Sequence, residues 1–290
     1  MFNLENGMIL KNAFRRAIRQ LSKWYFMFGS IGGVIAFLLL GKTFFGLSTK
    51  CSVFAAIVFV VLVFLVLLVF YIVKEYRTCH ISASQESLLM VRDIGRILSN
   101  TRGKTIDGTG CQNAASEICG IVQKYFNKVT SSRCSVCIML PLKHDKDIAN
   151  YQLSFFCRDS SNVNRDTKAF VEASHSVLIN TSYNYVVTQI KSNRSEILYV
   201  CEDVTLDGFQ STIANCFNNN KLPYYSLCEI PIGLTDSDGK VVDLLGILSI
   251  DSDKKSAFLK RDKHLIALLQ IVADYLSELL ITYYSNDEDV

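Results

Sequence analysis

The residues best suited to chemistry in this 290-residue chain are its ten cysteines and four histidines. Cys134 and Cys137 form a C-x-x-C pair, a spacing that serves disulfide exchange and zinc binding. The pair lies in a predicted β-strand, where residues three apart point to opposite faces. No second pair follows at a zinc spacing, and the histidines form no i, i+3 or i, i+4 pair with one another. We therefore expect reduced, packed thiols, and neither a metal site nor a cofactor.

Sequence motifs of well-known enzymes are missing from the chain. It contains no H-E-x-x-H, no phosphate-binding glycine loop, no protein-kinase signature and no G-x-S-x-G element. Gly108 and Gly110 give only G-x-G, without a preceding strand, which is typical of a linker. We therefore expect a protein that is not an enzyme.

The charges are distributed unevenly along the chain. Residues 1–100 carry 11 lysines and arginines against 4 aspartates and glutamates, whereas residues 101–290 carry 19 against 23. The second part therefore has a net charge of −4 and no basic stripe, which is unlike a surface that binds a phosphate backbone. This distribution argues against nucleic acid as a partner.

Two apolar runs near the N-terminus predict membrane-spanning helices. Residues 53–73 lack charges and would extend about 31 Å at 1.5 Å per residue, the thickness of a bilayer core. Residues 24–41 follow the basic segment 1–23, for which a secretory signal peptide is the alternative, but no A-x-A-like cleavage site follows them. Basic residues flank the outer ends of both runs, and only Lys42 and Lys50 lie between them. The positive-inside rule then predicts a two-helix transmembrane hairpin in the inner (plasma) membrane, with both termini in the cytoplasm.

Residues 74–100 predict a helix that connects the second span to the rest of the chain, because little except Gly95 opposes a helix there. A seam of residues alternates at spacings of three and four, which makes a short coiled coil and a homo-oligomer one hypothesis. The seam consists of Ile81, Ser84, Leu88, Val91, Gly95 and Leu98. Residues 101–110 carry three glycines and predict a domain boundary.

Residues 111–285 predict an α+β domain. Apolar residues recur at helical spacing in 111–129, and a closing helix is predicted over 260–284. Predicted strands lie between these helices, at residues 133–141, 151–158, 196–200, 224–232 and 244–252. This order predicts an antiparallel sheet flanked by helices.

Residues 226–280 resemble the C-terminal half of a GAF domain. The resemblance lies in an apolar-Pro-apolar step, a turn, a "GvLsids" strand, an "aF" step, an acidic helix start and a helix with a Leu-Ala core. These positions are Ile230, Pro231, Ile232, Asp238, Gly239, Gly246 to Ser252, Ala257, Phe258, Asp262, Leu268, Leu269, Val272, Ala273 and Leu276. We expect Gly246 to permit close packing, Pro231 to lie at a sheet edge or strand end, and Asp251 to accept hydrogen bonds in a turn. The resemblance implies a GAF-like ligand-sensing domain over about residues 111–284.

In domains that resemble this one, a small molecule binds between the sheet and a segment that corresponds here to residues 159–220. That segment is rich in amides and aromatic residues, which can bind the edge and the faces of a purine. The N-K-F…D-E signature, typical of cyclic-nucleotide-binding members, is absent. The candidate ligand-binding residues are Phe155, Asn180, Tyr183, Tyr199, Asp203 and Ser226.

Three functions follow from these features. The first is a membrane-anchored cytosolic sensor of a small molecule, with a nucleotide as the leading class. Its ligand would alter the association of the transmembrane helices, and clustered hairpins could act as a membrane effector, since no output domain follows residue 285. The second is a GAF dimerisation module that recruits a signalling partner to the membrane. The third resembles redox-active GAF proteins that reduce free methionine sulfoxide, and it requires clustered thiols among Cys134, Cys157, Cys201 and Cys228.

Overall fold

The computed structural model describes most of the chain after residue 48. The described residues are 14, 18, 19, 43, 49–102, 107–141, 152–165, 171, 175, 176, 182–192, 197–206, 222–238, 240–260 and 262–287. The chain divides into two compact units, which are Phe2–Ser84 and Gln85–Val290. The first predicted span, residues 24–41, and most of the basic segment 1–23 lie outside the described residues.

Helix α1, Thr49–Thr101, covers the second predicted span and the predicted connecting helix without a break. Six apolar side chains are exposed along its span region: Leu62, Leu65, Val66, Val69, Phe70 and Val73. Among the described side chains, the segment that is long and apolar enough to cross a membrane by composition is His264–Ser285 instead. That segment belongs to the domain core, as shown below, so the two-helix hairpin stays a prediction.

The unit Gln85–Val290 contains an antiparallel sheet of six strands in the order β3-β2-β1-β6-β5-β4. This confirms the predicted α+β class with an antiparallel sheet flanked by helices. Its elements are α2 (Gly108–Thr130), β1 (Cys134–Pro141), β2 (Gln152–Arg158), a 3-10 helix (Ser160–Arg165), β3 (His175–Ser176), α3 (Ser182–Lys191), β4 (Tyr199–Cys201), β5 (Ser226–Thr235), β6 (Val241–Ser252) and α4 (Lys263–Asp287).

The main core lies between the sheet and helices α2 and α4. Alternate strand residues such as Ile138 on β1 and Ile230 on β5 point into it, and α2 and α4 contribute Ile118 and Leu269. Each fully buried side chain of this size stabilises the fold by about 1.5–3 kcal/mol. Most of the apolar side chains of α4 are buried in this core, so packing within the domain accounts for the apolar composition of this helix.

The end of α1 also packs into this core. Met90, Ile94, Ile97 and Leu98 are buried there, so the compact unit begins before the predicted boundary at residues 101–110. Of the predicted coiled-coil seam, Leu98 is buried in the domain's own core, whereas Leu88 is 70% exposed. A dimeric seam therefore stays a prediction, and Leu98 already has a packing role within one chain.

Two residues of the GAF resemblance have the expected structural roles. A Cβ at Gly246 would lie 3.0 Å from the Met139 carbonyl oxygen, so this glycine permits close approach of β1 and β6. Pro231 pairs with Ile247 of β6, but β4 pairs with β5 only as far as Glu229. Among the described residues, β5 is therefore an edge strand at Pro231, which suits a residue without an N–H group.

Helix α3 covers the other face of the sheet. Tyr183, Val186 and Val187 of α3 pack with Tyr199 of β4 and Ile247 of β6 in a second, smaller apolar cluster. The strand residues in this cluster alternate with those of the main core, because successive side chains of a strand point to opposite faces. The α3-facing side of the sheet carries the polar groups described next.

Candidate ligand-binding site

A row of side chains crosses five strands on the α3-facing side of the sheet. Antiparallel register places Cys137 opposite both Arg158 and Ser249, and it places Glu229 opposite both Ser249 and Tyr199. Residues directly opposite each other in an antiparallel ladder share one face, so these five side chains form one continuous row. All five are buried. We call this set, Arg158–Cys137–Ser249–Glu229–Tyr199, the transverse row.

Glu229 is the most deeply buried charged residue of the transverse row, with 1% of its surface exposed. Its Oε1 accepts hydrogen bonds from the hydroxyls of Ser182 on α3 (3.1 Å) and Ser249 on β6 (3.3 Å). Its Oε2 is buried and has no hydrogen-bond partner among the described residues. Burial raises the pKa of this carboxyl to about 8, although the two serine hydroxyls act in the opposite direction.

An ion pair lies beside the row. Arg165, at the end of the 3-10 helix, donates from Nη1 and Nη2 to the two carboxylate oxygens of Asp251, at 2.8 and 2.9 Å. The expectation that Asp251 accepts turn hydrogen bonds is therefore wrong, because its strand position directs it to a residue 86 positions away. Burial raises the pKa of Asp251, and Arg165 opposes that shift. The Nε of Arg165 is buried without a partner among the described residues.

A second hydrogen-bonded group fixes the other end of the row. Arg158 Nη1 donates to the Ser135 hydroxyl at 2.6 Å, and that hydroxyl donates to Asp159 Oδ2 at 3.1 Å. Asp159 also accepts from the Val136 backbone N–H and from the Asn162 side chain. Arg158 is thereby held over β1, with its guanidinium 5.8 Å from the centre of the Phe155 ring.

Tyrosine rings surround these polar groups. Tyr183 is 2% exposed, and Tyr199 packs against Tyr185 with their ring centres 5.4 Å apart. Tyr224 lies near Arg165, whose guanidinium carbon is 5.8 Å from the ring centre. Burial raises the pKa of the Tyr183 and Tyr224 hydroxyls, and the nearby Glu229 carboxyl raises both further. Both tyrosines are therefore neutral at physiological pH, and each can donate a hydrogen bond.

The structure brings together three of the six residues that the sequence suggested. Phe155, Tyr183 and Tyr199 belong to, or pack against, the apolar cluster under α3. Asp203 follows β4 and forms an ion pair with Lys255 at 2.8 Å, and hydrogen bonds from Lys255 and Thr205 lower its pKa. Ser226 points to the opposite face of β5 and donates to the Lys254 carbonyl at 2.7 Å. Asn180 lies outside the described residues.

The four cysteines of the redox hypothesis do not converge on one face. Cys134, Cys157 and Cys228 belong to the core under α2 and α4, whereas Cys201 lies in the cluster under α3. Cys134 and Cys137 point to opposite faces, as predicted from their spacing in a strand. Seven cysteines with described side chains are buried. Burial raises the pKa of several of them, to about 11 for Cys111 and about 12 for Cys137, which keeps these thiols protonated.

Glu229, Arg158 and Arg165 are not among the site residues that the sequence predicts. Glu229 carries a signal, since it is a single charge inside an apolar strand, in the tract SLCEIPI. Glutamate is almost never fully buried unless it is paired. Arg158 and Arg165 carry a weaker signal. Arg158 is the last residue of β2 and Arg165 the last residue of the 3-10 helix, and the sequence alone does not show which residues the pairing of the strands brings near them.

Comparisons with known proteins return GAF domains and proteins of related fold among solved structures. The GAF domain of a phosphoenolpyruvate-protein phosphotransferase from Coxiella burnetii has a TM-score of 0.43 at 12% identity, covering 70% of this chain and 98% of that chain. The corresponding domain from Acinetobacter has a TM-score of 0.40 at 11% identity, with coverage of 70% and 97%. The type II free methionine-R-sulfoxide reductase of Thermoplasma acidophilum has 0.39 at 18%, with coverage of 60% and 96%. No family model matches the sequence, and no curated protein does.

The elements after residue 225 follow the order that the sequence resemblance implies. Strand β5 is followed by a turn in which Asp236 accepts from two backbone N–H groups, and then by β6. Phe258 is buried in the core, and Asp262 caps α4 by accepting from the N–H groups of His264 and Leu265. The domain resembles a GAF domain in this order of elements. The transverse row lies on the face that α3 covers, and the helices α2 and α4 cover the other face.

Proposed function

We propose that the protein is a membrane-anchored cytosolic sensor whose GAF-like domain binds a small molecule on the α3-facing side of the sheet. Glu229 carries this proposal, because its Oε2 is buried without a partner among the described residues. A buried polar atom without a hydrogen bond costs about 1–3 kcal/mol, and a ligand that supplies the missing bond would recover that cost. The unpartnered Nε of Arg165 is a second atom of this kind.

A nucleotide is the ligand class that we propose first. Tyr183, Tyr199 and Phe155 provide aromatic surfaces beside the polar groups of the transverse row. An amino-substituted base would stack on such rings and donate N–H groups to a carboxyl oxygen, while Arg165 could interact with an acceptor atom. This combination of rings with a buried acceptor and a buried donor supports a heterocyclic ligand.

A thermal-shift panel of nucleotides on the purified full chain in detergent tests this class. We expect at least one nucleotide to raise the unfolding midpoint of the wild-type protein and of Glu117→Gln, which removes an exposed carboxylate from α2. The same nucleotide should have a smaller effect on Glu229→Gln. A panel in which no nucleotide shifts the midpoint would contradict the nucleotide class.

The membrane anchor is the second part of the proposal. The exposed apolar side chains on α1 between Leu62 and Val73 would face lipid in a span, because burying them in a bilayer removes apolar surface from water. In a bacterial host, a C-terminal fluorescent fusion should report a cytoplasmic C-terminus. Val66→Arg should move part of the chains to a periplasmic C-terminus, detected with a phosphatase fusion, since arginine at a span centre costs about 2.5–3.5 kcal/mol.

Leu88→Arg is the matched control for this topology experiment, because Leu88 is equally apolar and exposed on α1 but lies beyond the predicted span. We expect it to leave the fusion signals unchanged. A periplasmic C-terminus in the wild-type chain would contradict the two-span anchor.

The third part is the output. We propose that ligand binding alters association of the transmembrane helices in a homo-oligomer, which could act directly on the membrane. Crosslinking in native membranes, with and without the nucleotide that the panel identifies, should change the ratio of monomer to oligomer. Ligand binding with an unchanged ratio would contradict this output.

A further inference from the structure

Two hydrogen bonds at Glu229 favour its ionised form, although burial favours the neutral carboxyl more strongly. Two serine hydroxyls, from α3 and from β6, both donate to Oε1. Hydrogen bonds to a carboxyl oxygen favour the ionised form of the group, and both serines act in that direction on Glu229. Desolvation opposes them, because no positive group is bonded to Oε2 among the described residues. The site thus has the hydrogen-bond donors of a carboxylate site, but the part of the chain that the structure describes places no cation on Oε2.

The nearby arginines are already engaged elsewhere. Arg165 binds Asp251 through both terminal nitrogens, and Arg158 donates to Ser135, which in turn donates to Asp159. Two arginines therefore accompany two aspartates on this face. Glu229 is the fifth charged residue and has no counterpart in that group.

We infer that Glu229 anchors the ligand, and that the ligand presents to Oε2 a planar, amidine-type group with N–H donors and a positive charge. The inference rests on the proposed sensor function and names the chemistry of that same site. A planar cation suits the position, because Tyr199 lies directly opposite Glu229 in the ladder and Tyr183 is near it. Amino-substituted nucleobases carry a related N–C–N edge, which can take up the proton of the Glu229 carboxyl. Among nucleotides, those with an amino-substituted base therefore fit this site.

Binding of such a cation is coupled to loss of a proton. Before binding, burial keeps the carboxyl protonated at neutral pH, since its pKa is about 8. On binding, the O–H bond of Glu229 breaks, the proton passes to solvent, and an N–H group of the ligand donates to the new carboxylate. The groups that face Glu229 do not titrate in this range, because burial raises the pKa of Tyr183 on α3, Tyr224 before β5 and Cys137 on β1. Asp251 forms an ion pair with Arg165, which donates to both of its carboxylate oxygens.

Benzamidinium is the probe, and benzamide is its matched neutral control of the same size. Titration calorimetry on the full chain in detergent should show Kd for benzamidinium falling about tenfold from pH 6 to pH 7 and levelling above pH 8. Measurements in two buffers of different ionisation enthalpy should show release of about one proton at pH 6.5. Benzamide should bind at least about tenfold more weakly, with no pH dependence.

Glu229→Gln should abolish the preference for benzamidinium and its pH dependence, and Glu117→Gln should keep both. Ser249→Ala, which removes one donor from Oε1, should weaken benzamidinium binding and keep the proton release. Comparing Glu229→Gln with Ser249→Ala separates the loss of the Glu229 carboxyl from a general loss of folding. Equal binding of benzamide, or unchanged binding to Glu229→Gln, would overturn the inference.

The outcomes also separate this inference from the proposed function. A nucleotide that binds equally to wild type and to Glu229→Gln would overturn the inference and leave the sensor function standing. Benzamidinium binding with proton release, in a protein that binds no nucleotide, would support the inference and overturn only the nucleotide class.

Discussion

Replacing Glu229 with glutamine should stabilise the protein at alkaline pH and leave its stability unchanged in acid. Below pH 4.5 the carboxyl is protonated in both the folded and the unfolded state. Between pH 4.5 and about 8 the unfolded state loses the proton while the folded state keeps it, because burial raises the folded pKa to about 8. The stability contributed by the protonated carboxyl is therefore lost as the pH rises through this window, and glutamine does not titrate.

The size of the effect follows from the pKa difference. Each pKa unit corresponds to about 1.4 kcal/mol, so a shift from 4.5 to about 8 gives the variant an advantage of about 5 kcal/mol above pH 8. At pH 7 the advantage is about 3 kcal/mol. For a chain of this size, 1 kcal/mol changes the unfolding midpoint by about 2–4 °C. Glutamine keeps an oxygen that can accept from Ser182 and Ser249, so these hydrogen bonds cancel in the comparison.

Thermal unfolding of the full chain in detergent, followed by near-UV circular dichroism at pH 4, 7 and 9, measures this difference. We expect midpoints that coincide at pH 4 and separate by about 10 °C or more at pH 9. Glu117→Gln, at an exposed position on α2, should follow the wild-type curve at each pH. Parallel curves for wild type and Glu229→Gln across this range would refute the reasoning, because they would show that Glu229 ionises normally in the folded protein.

Three further predictions concern packing, charge pairing and thiols. Gly246→Ala should lower stability by about 1–3 kcal/mol, because the added Cβ meets the Met139 carbonyl oxygen. Gly120→Ala is the control and should leave stability unchanged, because its Cβ would have no neighbour within 4 Å. Chemical denaturation measures both variants. Asp251→Asn should lower stability by about 3–5 kcal/mol because Arg165 loses its buried partner, while Arg102→Gln breaks an exposed pair and should leave the midpoint in place. At pH 7.5, iodoacetamide should alkylate Cys137 only after unfolding, as read by peptide mass spectrometry; rapid alkylation of the folded chain would contradict a buried, protonated thiol.

The sequence predicted the fold well where periodicity decides it. Helix α2 and the strands β1, β2, β5 and β6 appear within a few residues of their predicted bounds, because each carries a clear apolar repeat. Asp262 and Gly246 also have the roles that the resemblance implied. Strand order and register are not contained in these local patterns, so the sequence could not show that Arg158, Cys137 and Glu229 share a row.

The site was harder to predict, for reasons that individual residues illustrate. Asp251 and Arg165 are separated by 86 positions, and only strand pairing brings them together. Ser226 is one of the predicted site residues, but it is three residues from Glu229 in β5 and so points to the other face. Strand alternation alone could have favoured Glu229 over Ser226, because a charge flanked by apolar residues must find a partner or a ligand on its own face.

The transverse row has a consequence for how ligand preference could evolve. Each of its positions alternates along a strand with positions that fill the core under α2 and α4, such as Ile138 beside Cys137 and Ile230 beside Glu229. Substitutions in the row therefore change the chemistry offered to a ligand without changing the side chains that hold the sheet to its helices. A combinatorial library restricted to these five codons would vary the proposed site while the side chains of the main core stay the same, and ligand preference in the proposed sensor would diverge by the same route.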